Sequence, residues 1–116
     1  MEIRMDRTML DMNDKEILEQ IPTGEKNLMG QDIMKDGPVV TLKTVAINAL
    51  VAIFQDEANI SGEEKVKRWE LAIRIKKGPD SMEMTAEEVS LVKKLIAKMY
   101  GPLISGQAWA YLETKQ

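Results

Sequence analysis

The sequence predicts a mainly α, α+β fold: a compact bundle of about four helices with an N-terminal β-hairpin. Three observations carry this expectation. Ser61-Gly-Glu-Glu64 and Thr85-Ala-Glu-Glu88 both have the form of a capping box, in which a hydroxyl and a glutamate three residues on satisfy each other's backbone N–H. Gly78-Pro79 and Gly101-Pro102 end the apolar-periodic segments that follow these boxes. The first residues instead alternate with a period of two, the period of a strand.

Along the chain, Ile3, Met5 and Met9 stand opposite Arg4, Asp6 and Thr8, with Arg7 interrupting the alternation. Asp11-Met-Asn-Asp14 supplies turn chemistry, and Ile17, Leu18 and Ile21 can pair back, giving a hairpin over roughly residues 2–20. An isolated hairpin is marginal in water, so it must dock on the helices or on a second copy of the chain. Residues 22–38 contain three glycines and two prolines and read as a long loop, either mobile or ordered only on a partner. Residues 1–38 hold nine acids and five bases, whereas residues 39–116 hold ten acids and eleven bases. The shift near Gly37-Pro38 marks 1–38 as hairpin and loop appended to a helical bundle at 39–116, one domain overall.

Thr41 caps a helix expected to run to about Phe54, with Leu42, Val45, Ala46, Ala49, Leu50 and Ile53 on one apolar face. Val51, Ala52 and Ile47 fill much of the remainder, so the central helix is expected to be buried nearly all round. The helix after Ser61 is expected to bury Val66, Trp69, Ala72, Ile73 and Lys76, and the helix after Thr85 to bury Val89, Val92, Leu95, Ile96 and Met99. A last short helix is expected after Ser105 or Gly106, with Trp109 and Leu112 at a spacing of three.

Composition excludes much chemistry. The 116 residues include no cysteine and no histidine. Disulfides, thiolate nucleophiles, cysteine-bound zinc, Ser-His and Cys-His pairs and the usual neutral-pH general base are therefore absent. The length fits one domain, and 44% hydrophobic with 30% charged residues is ordinary globular composition. The longest apolar-rich stretch, from Val45 to Phe54, is half of the roughly 20 residues a helix needs to span a bilayer. The N-terminus lacks the apolar core of a secretory signal, and a cytoplasmic protein is expected.

The remaining candidates each have two readings. Glu63/Glu64 and Glu87/Glu88 are paired carboxylates, but they occupy first helical turns, where capping and the helix dipole favour acids. Asp11 to Glu16 resembles the start of a calcium loop but has Lys15 at the fifth position and no glycine at the sixth. None of the seven glycines forms a phosphate-cradling motif, and Gly106 reads as a point of close helix packing. Lys65, Lys67, Arg68, Arg74, Lys76 and Lys77, extended by Lys93, Lys94 and Lys98, form a basic cluster that suits nucleic acid. Their scatter around the helix and a pI near 5.1 suit a solvated surface. Trp69 and Trp109 read as core, or as interface anchors if exposed. Six of nine methionines lie in the first 34 residues; of these Met5, Met9, Met12, Met29 and Met34 are the candidate partner-binding residues, with core filling as the competing role.

The segments Met9 to Ile17 (Met-Leu-Asp-x-x-x-Lys-x-Ile), Thr41 to Leu50, Ser61 to Ala72, Thr85 to Ile96 and Tyr100 to Trp109, in this order, resemble small accessory proteins of tailed bacteriophages and prophages. The resemblance spans residues 8–113, departs in its longer 22–38 segment, and brings no functional residues with it. It implies a phage protein in the host cytoplasm or in the virion. The expectation is a non-enzymatic chain without cofactor or metal that binds a phage structural protein or a host protein, with a second copy of itself as a further candidate. Nucleic-acid binding through the basic helix 65–77 is the alternative, and no membrane association is expected.

Overall fold

The structure, a computed structural model, describes residues 1–113. Its elements run β1 (Glu2–Arg4), β2 (Leu18–Lys26), β3 (Asp32–Val39), α1 (Leu42–Val51), a single 3-10 turn (Gln55–Glu57), α2 (Gly62–Lys77), β4 (Ser81–Glu83), α3 (Ala86–Met99) and α4 (Pro102–Glu113). The α+β class, the four helices and the N-terminal strands are as expected, but the hairpin sits elsewhere. Residues 2–4 do not pair with 18–20. They pair antiparallel with β4, with Ile3 opposite Met82, while the hairpin proper is β2–β3, where a loop was expected. The Asp11–Asp14 turn does form, held by Asp11 Oδ1 accepting from the N–H groups of Asn13 (2.8 Å) and Lys15 (3.1 Å). It serves a local reversal and not a long hairpin.

The first seventeen residues are sewn to the helices. The Met1 amino group donates to the Met84 carbonyl (2.9 Å), Met5 N–H to the Asp80 carbonyl, and Leu42 N–H to the Arg7 carbonyl (2.8 Å). Gln107 of α4 brackets Leu10, accepting from its N–H (2.8 Å) and donating to its carbonyl (2.7 Å), and Tyr111 Oη donates to the Thr8 carbonyl (2.9 Å). These bonds satisfy backbone that would otherwise be stranded at the edge of the core. Ile3, Met5 and Met9 are fully buried beside Leu42, Val45, Ile75, Met84, Leu95, Ile96 and Leu112. Within 1–38, the ribbon of β2 and β3 stands outside the body, and the turn at 12–16 is exposed at its surface. The radius of gyration is 15.6 Å, against roughly 13 Å for a compact chain of this length.

The helix starts follow their caps. Thr41 and Ser61 side chains accept from the N–H three residues on, and Thr85 with Glu88 completes a full capping box. At Ser61 the box is half-made, because Glu64 turns to Arg68 (3.4 Å). Gly78 closes α2, where a Cβ would lie 2.7 Å from the Arg74 carbonyl oxygen, so only glycine fits. Pro102 does not merely stop α3. It occupies the first position of α4, where a fixed φ helps and a missing N–H costs nothing, so this helix begins earlier than Ser105.

Three burial expectations are corrected. α1 ends at Val51, and Val51 and Ile53 face outward, so this helix is buried on one side only. The buried face of α2 is Arg68, Leu71, Ala72 and Ile75, while Val66 and Trp69 are exposed; a charged residue at the centre of the stripe disguised it. Met99 and Trp109 lie at the rim of the α3–α4 contact, and Gly106 has open space around it instead of a packed neighbour.

Candidate functional site

The ribbon is the most exposed part of the fold. Its register runs Leu18↔Val39, Gln20↔Asp36, Ile21↔Lys35, Pro22↔Met34 and Lys26↔Asp32, with irregularities between these pairs. Cross-strand polar contacts pin it: Gln20 Nε2 donates to Asp36 Oδ1 (2.8 Å), and Lys26 Nζ meets Asp32 Oδ1 (2.9 Å). At the tip, the Asn27 carbonyl accepts from Gly30 N–H (3.0 Å), and Gly30 takes a φ of +78°, the left-handed conformation that closes short hairpin loops. Asn27 Oδ1 also accepts from Met29 N–H (2.9 Å) and Gln31 N–H (3.0 Å). The turn is thus built from its own polar groups, and it holds Leu28 and Met29 at the summit in open solvent, Met29 at 83% of full exposure.

Every residue from 20 to 36 is exposed, including the apolar Ile21, Leu28, Met29, Ile33 and Met34. Two strands without a third layer are marginal, and both edges of this ribbon present unpaired backbone. The arrangement can do two things: insert an apolar tip into a cavity, or accept another strand along an edge.

A second feature lies at the other end of α1. Beyond Val51 the chain runs extended to Phe54, makes the 3-10 turn and returns to Ser61. Between this connection and α2 lies an apolar groove of about 470 Å³, walled by Leu50, Val51, Ile53, Phe54, Ile60 and Trp69. That volume falls in the range of roughly 300–1,000 Å³ that accommodates ligands and side-chain anchors. Ile53 is 98% exposed and Trp69 57%.

The groove is braced by charge. Arg68, only 5% exposed, grips Glu57 with two parallel hydrogen bonds of 2.7 Å. Lys98 of α3 reaches Asp56 (3.0 Å) and Glu57 (3.3 Å), and its Nζ lies 5.0 Å from the Phe54 ring centroid. The Arg68 hydrogen bonds, reinforced by Lys98 and opposed by burial, hold the Glu57 carboxyl down at about 2 against an ordinary 4.5. A buried ion pair is tolerated only when its remaining hydrogen-bonding capacity is met, as here, and it fixes the 55–57 turn against both helices.

The structure sorts the sequence-derived candidates. Met5 and Met9 are core residues with no exposed surface, which corrects their reading as contact residues: the Met5 N–H is held by the Asp80 carbonyl, and Met9 is held between Val40 and Ile17 by backbone hydrogen bonds. Met12 stands exposed on the Asp11 turn, and Met29 and Met34 are on the ribbon. Of the basic cluster, Arg68 is buried in the network above and is removed from any nucleic-acid surface, and Arg74 pairs with Glu88 at 2.7 Å. Lys65, Lys67, Lys76 and Lys77 are exposed and form no ion pair among the described residues. Lys93 lies 4.5 Å from the Trp109 ring centroid and pairs with Glu113, while Lys94 is exposed. The carboxylates serve as caps and ion-pair partners, and among the described residues no cluster of three or more acids is placed to hold a metal ion. No helix among them is long and apolar enough to cross a membrane.

Leu28 and the groove escaped the sequence reading. The Asn27-x-x-Gly30 spacing was the available signal for the tip, whereas Ile53 was hidden by extending α1 through Phe54. No protein-family model, no curated protein and no solved structure matches the chain. The geometry of ribbon and groove therefore carries the functional reading.

Proposed function

We propose that this chain is a non-enzymatic accessory protein of a tailed bacteriophage that works by binding another protein, with the β2–β3 ribbon as its contact element. The observation that supports this reading is the ribbon's exposure: five apolar side chains reach solvent, Ile21, Ile33 and Met34 in part and Leu28 and Met29 almost wholly, the last two held at the tip by a turn built from its own polar groups. Such a patch on a well-packed body marks an interaction surface. The partner is a phage structural protein met during virion or tail assembly, or a host protein that the phage redirects. Nucleic-acid binding through 65–77 has weaker support, since two of its six cations are committed to Glu57 and Glu88.

The test is affinity capture from infected cells with the full chain and with a Leu28→Asp, Met29→Asp variant. The wild type is expected to retain a protein that the variant loses while both melt alike. Equal capture by the two proteins contradicts the assignment. A mobility shift on duplex DNA that fades with salt, as phosphate contacts do, would favour the nucleic-acid reading instead.

A further inference from the structure

Ribbon and groove sit at opposite ends of α1. The ribbon's base is fastened beside the helix start, through Val40 N–H to the Ile17 carbonyl (2.8 Å) and the Thr8–Thr41 bridge. The groove opens at the helix end, beyond Leu50. Ten helical residues separate them by roughly 15 Å, and the exposed ribbon tip does not reach the groove of its own chain. Each surface nonetheless has what the other lacks. One is a protruding apolar pair, Leu28 and Met29; the other is an apolar cavity with exposed Ile53 and Trp69 on its walls.

Their charges are also complementary. The ribbon (18–39) carries Glu19, Glu25, Asp32 and Asp36 against Lys26 and Lys35, and Glu25 beside the tip forms no ion pair among the described residues. The groove's lining carries Lys65 and Arg68 against Glu57; Arg68 and Glu57 neutralise each other, which leaves Lys65 as the lining charge without an ion-pair partner among the described residues.

Resting on the reading of the ribbon as contact element, we infer that the groove's occupant is the ribbon tip of a second copy of this chain. Because donor and acceptor surfaces differ, the association either closes reciprocally as a two-fold dimer or continues head-to-tail into a ring or chain. Leu28 and Met29 enter between Ile53 and Trp69, and acidic residues of the ribbon approach Lys65. Electrostatics of this exposed kind add orientation more than affinity and weaken with salt.

Light scattering or sedimentation velocity on the full chain over a concentration series tests this. The mass is expected to rise above 13.1 kDa with concentration. A tip variant (Leu28→Asp, Met29→Asp) and a groove variant (Ile53→Asp) should each stay monomeric. All three positions are exposed, so folding is preserved; Trp69→Glu is the substitute groove variant if Ile53→Asp fails to melt cooperatively. Mixed in equal amounts, the two variants should form a dimer and nothing larger, since one intact tip meets one intact groove. A wild type that stays monomeric at its solubility limit, or variants that do not complement, overturns the inference. A monomeric wild type that still captures another protein through its tip leaves the ribbon reading intact, whereas capture that survives the tip substitutions defeats that reading itself.

Discussion

Two stretches of the N-terminal region share a composition and have opposite fates. Residues 1–17 contribute Met5 and Met9 to the centre of the core, while residues 18–39 hold Met29 and Met34 out in solvent. Both stretches are strand and turn with methionines among charged residues. The difference lies in what the backbone pairs with. β1 finds β4, and the chain after it is fastened to α4 where Gln107 brackets Leu10 and Tyr111 meets the Thr8 carbonyl; β2 and β3 find only each other. Methionine content therefore does not distinguish core from exposed surface. Long-range pairing does.

The sharpest contrast comes from placing one charge in each stretch. Met5→Asp buries an unpaired carboxylate and should cost more than about 4 kcal/mol, enough to unfold most of the chain. Met29→Asp should shift stability by less than about 0.5 kcal/mol in the same denaturant titration. Equal effects would erase the distinction between sewn and free segments.

Next in size is the brace beneath the groove. Arg68→Ala leaves the half-buried Glu57 with Lys98 alone and should cost about 1.5–3 kcal/mol. The pH dependence has a definite sign. Glu57 is depressed from 4.5 to about 2 on folding, so its contribution is complete above pH 4.5 and disappears as the pH falls toward 2. Arg68→Ala should flatten that acid limb of the stability curve. An unchanged acid limb would show that the pair does not hold the turn.

Much of the helical half was legible because its signals are local. Thr41, Ser61 and Thr85 act within three residues of themselves, and Gly78 ends α2 by steric necessity. What escaped needed information from a distance. Nothing in residues 2–4 announces a partner at 81–83, so the Asp11–Asp14 turn drew the expected hairpin upstream of the real one. Arg68 read as a surface cation because Glu57 reaches it from another element, and that misreading rotated the apparent buried face of α2 onto Trp69. Pro102 was read as a stop when it is also a start. The ribbon's apolar exposure was half visible, in Met29 and Met34, but Leu28 depended on seeing the Asn27–Gly30 turn close.

The smallest stability effect tests a local signal. Thr85→Ala removes one half of the complete capping box and should cost about 1 kcal/mol. Ser61→Ala, where only one capping hydrogen bond is made, should cost no more than that. A larger loss at Ser61 would mean that the Glu64–Arg68 contact depends on the cap.

The central claim is that the ribbon is a contact element carried by a body that folds without it. Replacing residues 20–36 with a short turn, then recording the thermal unfolding transition alongside capture from infected cells, tests it most directly. The account predicts a single cooperative transition near that of the intact chain, with capture abolished. A broad or absent transition, or capture that persists without the ribbon, would contradict it.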